Sequence, residues 1–160
     1  MMFVLTSPGF ERGAAMPTHF TGEGEDLSPP LEWSGAPREA QSFVLIVDDP
    51  DVPDPAAPRR TWVHWVVYDI PATVTQLPEA VSGQTMPEGA REGRNDSGGR
   101  GYSGPMPPIG RHRYFFKLYA LDRTLGLRDG HTKAELLRAM EGHVLASAEL
   151  MGTYQCAVGR

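Results

Sequence analysis

The 160-residue chain has one cysteine, Cys156. A disulfide framework needs pairs, and a structural zinc site of the usual kind needs several thiolates, so both are excluded. Basic residues are few and scattered, with Lys and Arg totalling 15 against 20 Asp and Glu, for a formal net charge of −5. The longest basic runs are pairs such as Arg59-Arg60, so nothing offers a nucleic acid its electrostatic footprint. No window approaches the roughly 18 apolar residues of a membrane-spanning helix. The opening Met1-Met2-Phe3-Val4-Leu5 stretch is too short for a signal-peptide core and has no basic flank. A cytoplasmic protein is expected.

Glycine and proline are plentiful, at 18 and 15 residues. They fall in clusters separated by apolar runs, which marks a loop-rich globular chain and not a disordered one. The length suits one domain over residues 1–160 with one core. No internal repeat or linker interrupts it.

The apolar runs read mainly as strands. Phe3 to Thr6 forms a short first strand, and Leu27 to Trp33 holds an edge strand, because its prolines cannot donate to a ladder. Phe43 to Val47 is continuously apolar and reads as a central strand buried on both faces, ending at Asp48-Asp49-Pro50. Thr61 to Ile70 is β-branched and aromatic, and Arg111 to Leu121 is a third long strand. Residues 72–110 between them read as mostly loop, a length that is functional or covers a sheet edge. Thr132 and Glu135 have capping-box spacing ahead of an apolar stripe of Leu136, Leu137 and Met140, and Gly142 fits the helix stop. Ala146, Ala148 and Leu150 alternate with Ser147 and Glu149 in a last strand. The fold class is mainly β with one clear helix.

Strand geometry then gathers chemistry. Side chains two apart share a face, so Trp62 points with His64, and His112 with Tyr114. If the two strands are neighbours, two imidazoles, an indole and a phenol line one patch. Asp49 and Asp51 follow the central strand, in an Asp49-Pro50-Asp51-Val52-Pro53 turn stiffened by its prolines. The Gly101-Tyr102-Ser103-Gly104-Pro105 loop offers bare backbone N–H groups to an anion. The residues alone leave other readings open. Such histidines also occur as satisfied core residues, and His64, His112, Asp49 and Asp51 are metal-ligand types. Against a metal, no His-x-x-x-His or Glu-x-x-His pattern is present. Residues 98–104 lack the Gly-Lys-[Ser/Thr] ending of a P-loop, and Ser103 does not sit in a Gly-x-Ser-x-Gly elbow. His19, His131 and His143 read as structural or surface residues, Trp33 and Trp65 as core.

Four motifs occur in order: Asp49-Pro50-Asp51-Val52-Pro53, Trp62-Val63-His64-Trp65, Gly101 to Pro105, and Gly110-Arg111-His112-Arg113-Tyr114. Their order and spacing resemble the phosphatidylethanolamine-binding proteins, also called Raf kinase inhibitor-like proteins, and the ending Glu141 to Tyr154 resembles the short bacterial branch. The resemblance implies a large central antiparallel β-sheet with a smaller second sheet and few peripheral helices. It implies an anion or phospho-head-group pocket at Asp49, Asp51, Pro53, Trp62, His64, Gly104, Pro105, His112 and Tyr114. It suggests a cis Val52-Pro53 bond, a kinase or protease as protein partner, and a homodimer. Asp49 is expected to orient His64 or His112. No cofactor, metal or catalytic residue is implied; the alternative is a phosphoester or carboxyl-ester hydrolase using the His/Asp pocket.

Overall fold

The computed structural model describes residues 2–157. The Phe43–Val47 run is the middle of strand β3 (Ser42–Val52), and its side chains leave in both directions. Phe43, Leu45 and Val47 enter one core; Val44 and Ile46 enter another. A strand apolar on both faces needs cover on both. It has that cover because β3 is the centre of a five-stranded antiparallel sheet, in the order β6-β4-β3-β7-β8. The flanking strands are β4 (Arg60–Pro71), β6 (Arg91–Glu92), β7 (His112–Leu121) and β8 (Val144–Tyr154).

A three-stranded sheet, in the order β1-β2-β5, covers one face. It consists of β1 (Val4–Thr6), β2 (Leu31–Ser34) and β5 (Gln76–Leu77). Leu5, Leu31, Trp33 and Leu77 pack from it toward Trp65, Phe116 and the β3 side chains. Helix α1 (Lys133–Met140) covers the other face with Leu136 and Met140. Its capping box is formed, the Thr132 hydroxyl accepting from the Glu135 N–H and the Glu135 carboxylate from the Thr132 N–H. Gly142 follows with a φ of 77°, the left-handed conformation a helix stop requires.

Three expectations change. β2 is the middle strand of its sheet, not an edge; Pro29 and Pro30 lie just before it and leave its N–H groups free to pair. Leu137 is 41% exposed, since it lies one residue off the face shared by Leu136 and Met140. Asp49 to Val52 continues β3 instead of leaving it as a turn. Pro50 is accommodated because the pairing of β3 with β4 is irregular between Asp49 and Val52. Residues 72–110 are mostly loop, as expected. They contain β5 and β6, and β6 pairs with β4 along the sheet edge.

Candidate functional site

Two interruptions in the ladder between β3 and β4 decide what faces the pocket. Val47 pairs with Trp65 but Asp48 pairs with Val63, so His64 is the extra residue of a bulge. Without it, strict alternation puts Trp62 and His64 on the face opposite Trp65. With it, Val63 joins the helix-side core, and Trp62 and His64 stand on the side of Trp65. That is also the face of Asp49 on β3 and of His112 and Tyr114 on β7. These side chains line a cavity of about 390 Å³ at one end of the sheet.

Six of the nine residues expected from the sequence line it: Asp49, Trp62, His64, Gly104, His112 and Tyr114. Three do not. Asp51 is engaged by Arg113, whose Nη2 donates to Oδ1 at 2.9 Å and whose Nε donates to Oδ2 at 3.0 Å. The guanidinium holds the Asp51 carboxyl below the usual carboxylate range. Pro53 carries the cis bond with Val52, and it is Val52 that touches the cavity. Pro105 is buried, its carbonyl accepting from the Gly22 N–H at 2.9 Å, so it fixes a wall residue.

The two histidines are wired differently. His112 is fully buried, with Nδ1 2.6 Å from Asp49 Oδ2 and Nε2 2.8 Å from the Ile109 carbonyl. Both ring nitrogens thus have protein partners, and the ring is fixed between Asp49 and Ile109. Asp49 thus orients His112 and not His64, and His112 offers the cavity a ring without a free N–H. His64 Nδ1 donates to the Ser103 carbonyl at 2.5 Å, which leaves Nε2 to the cavity. Burial pulls the His64 pKa below its ordinary 6.5, against the opposing pull of Ser103 and the carboxylates of Asp49, Asp26 and Asp48. Near neutral pH, Nε2 is therefore an acceptor.

Tyr114 stands edge-on to His64, ring centroids 5.2 Å apart, and stacks on His112 at 6.4 Å. Its hydroxyl is buried and has no hydrogen-bond partner. Burial pushes its pKa far up, so the O–H remains a donor. Trp62 closes one side, with the Arg60 guanidinium 4.7 Å over its ring.

The glycine loop does not supply free amides. The N–H of Gly101 donates to Gly93 O, that of Tyr102 to Ser82 Oγ, that of Ser103 to His64 O, and that of Gly104 to Asp26 Oδ1. Gly104 is required for a close approach instead: a Cβ there would lie 2.4 Å from the Phe20 carbonyl oxygen and 2.3 Å from Asp26 Oδ1. Asp26 itself is a cavity residue that the sequence reading passed over. An acid in a Gly22-Glu23-Gly24-Glu25 context looks like a solvated turn. Its φ of 59° and its bond to Gly104 come only from the fold. Partial burial raises its pKa. Met106, Pro107 and Pro108 complete the apolar wall. Among the described residues, no three His, Cys, Asp or Glu side chains gather as a metal site, and no helix is long and apolar enough to cross a membrane.

This architecture recurs in known proteins. A sequence profile described as phosphatidylethanolamine-binding protein matches residues 6–155. A UPF0098 protein of Methanothermobacter thermautotrophicus is 49% identical over 152 residues, covering 94% of this chain and 97% of that one. The crystal structure of a phosphatidylethanolamine-binding protein homolog from Chlamydia trachomatis is 45% identical, with a TM-score of 0.87 over 96% of this chain and 97% of that one. E. coli YbcL, described as a new member of the mammalian PEBP family, is 35% identical with a TM-score of 0.88, covering 98% and 99% of the two chains.

Proposed function

The chain belongs to the phosphatidylethanolamine-binding protein family, and from that premise we propose that it is a binding module for a small phosphoryl or related anionic group, held in the Tyr114–His64 pocket. The observation that carries this reading is the Tyr114 hydroxyl, a buried donor with no protein partner. Leaving such a group unsatisfied costs about 1–3 kcal/mol, so the site favours an acceptor entering it. His64 Nε2 lies free on the same cavity and becomes a second donor when protonated. Apolar walls at Met106, Pro107 and Pro108 suit the carbon portion of an ester.

Binding is favoured over turnover by the wiring of the same groups. Ser103 Oγ contacts Ser97 Oγ at 3.0 Å, while His64 addresses the Ser103 carbonyl, so among the described residues Ser103 and His64 do not form a hydroxyl–imidazole pair. A phosphoester panel is expected to show no turnover that depends on His64.

Titration calorimetry with inorganic phosphate and glycerophosphoethanolamine at pH 6 and pH 8 tests the reading. Tighter binding at pH 6 is expected, and Tyr114→Phe should weaken it roughly tenfold, one hydrogen bond to a charged group. Absence of binding at both pH values would rule the reading out.

A further inference from the structure

The cavity carries an unusual balance of donors and acceptors for an anion site. His112 has spent both nitrogens on Asp49 and Ile109. The loop amides from Gly101 to Gly104 are spent on other residues. What remains is a buried donor without a protein partner, the Tyr114 O–H, the Ser97–Ser103 hydroxyl pair and the Trp62 indole on the lining, and two acceptors on the same cavity. One is His64 Nε2. The other is the second carboxylate oxygen of Asp26, which takes no hydrogen bond among the described residues. Consecutive backbone groups of one loop hold these acceptors side by side: the Ser103 carbonyl takes the His64 Nδ1–H, and the Gly104 N–H binds Asp26 Oδ1.

Building on the phosphoryl-binding reading, we infer that Asp26 is a specificity-determining residue: its free carboxylate oxygen accepts the P–OH proton of a singly protonated phosphoryl group while Tyr114 donates to another ligand oxygen. A fully ionised oxyanion of similar shape, such as sulfate, has no proton to offer. It would face the Asp26 carboxylate with like charge and leave that acceptor unpaired. A site that hydrogen-bonds a ligand proton rejects the analogue lacking it. The other titratable groups around the ligand do not restore the balance. Asp49 and His112 are paired with each other, Asp48 lies on the far face paired with Lys117 and Lys133, and Tyr102 is committed to the Phe20 carbonyl. Asp26 stands at the exposed mouth of the cavity, so solvent tempers the discrimination, which is expected to be on the order of tenfold.

The test compares phosphate with sulfate at pH 7 and matched ionic strength, by calorimetry on the full chain, for wild type and Asp26→Asn. The asparagine keeps an oxygen for the Gly104 N–H, and its amide donates where the carboxylate accepted. Circular dichroism and thermal melting confirm that the variant is folded. Wild type should prefer phosphate roughly tenfold, and Asp26→Asn should gain sulfate affinity, lose phosphate affinity and narrow or invert the ratio. Equal binding of the two anions by wild type, or an unchanged ratio in Asp26→Asn, overturns the role of Asp26 while the phosphoryl-binding reading stands. Binding of neither anion by wild type overturns both.

Discussion

Asp49 occupies a position that the alternation Phe43, Leu45, Val47 would give to a core side chain, and it is only 2% exposed. An uncompensated carboxylate there would be costly. Two bonds compensate it, one from the Asp51 N–H to Oδ1 at 2.7 Å and one from His112 Nδ1 to Oδ2 at 2.6 Å. Asp49→Asn keeps the first acceptor and replaces the oxygen that pairs with His112, so it should destabilise the fold by about 1–3 kcal/mol, read as a lower urea midpoint at unchanged slope. Asp51→Asn should cost less, because its partner Arg113 is half-exposed and water screens the pair. The sequence places an acid beside two histidines, and that much is legible. Which histidine it orients is not. The choice depends on the bulge that turns His64 toward Ser103, and on Ile109 closing the far side of His112.

Long strands are readable because apolar residues, many of them β-branched or aromatic, dominate Phe43–Val47, Thr61–Ile70 and Arg111–Leu121. The bulge inside Thr61–Ile70 is not, for the same reason. Where both faces are buried, apolar residues follow one another and no alternation exists for a bulge to break. Strands β5 and β6 have two residues each, too few for any period to show. The helix was announced by its capping box, but its attachment to the sheet was invisible. Asp48 is fully buried on the helix side of β3, with Lys133 Nζ 2.7 Å from Oδ2 and Lys117 Nζ 3.1 Å from Oδ1. Thus one acid clamps β3, β7 and α1 together. Lys133→Met should remove one of two cations and cost about 1–2 kcal/mol, the remaining lysine still partnering the carboxylate. Amide exchange should quicken through α1 while the amides of β7 keep their protection. Equal loss of protection in both elements would show that Asp48 does not act as a clamp on the helix.

At the scale of the whole molecule, the pocket ties stability to pH and to its occupant. His64 is buried in its neutral form with a pKa displaced below 6.5. The unfolded chain then binds a proton that the folded chain refuses, over the window from 6.5 down to the displaced value. Unfolding free energy must rise with pH across that window, so this contribution is complete above 6.5 and is lost as pH falls. Asp51, with its pKa lowered, loses its contribution only in a more acid range, below the ordinary 3.8. Asp26 has the opposite sign. Its raised pKa means that the folded state gains stability as pH falls through the raised value. Stability measured by urea unfolding should therefore decline from pH 7 to pH 5.5, with His64 giving a slope of at most about 1.4 kcal/mol per pH unit for its one proton. His64→Asn retains an N–H for the Ser103 carbonyl and cannot titrate, so its profile should be flatter over the same range. A phosphoryl ligand turns this cost to use, because its negative charge favours the protonated imidazole that the empty pocket excludes. At a hundredfold excess over Kd, phosphate should add about 2.7 kcal/mol by mass action, and the decline of the wild-type profile should become shallower. A wild-type slope that is the same with and without phosphate would show that His64 keeps its neutral form in the complex and lends the ligand no charge.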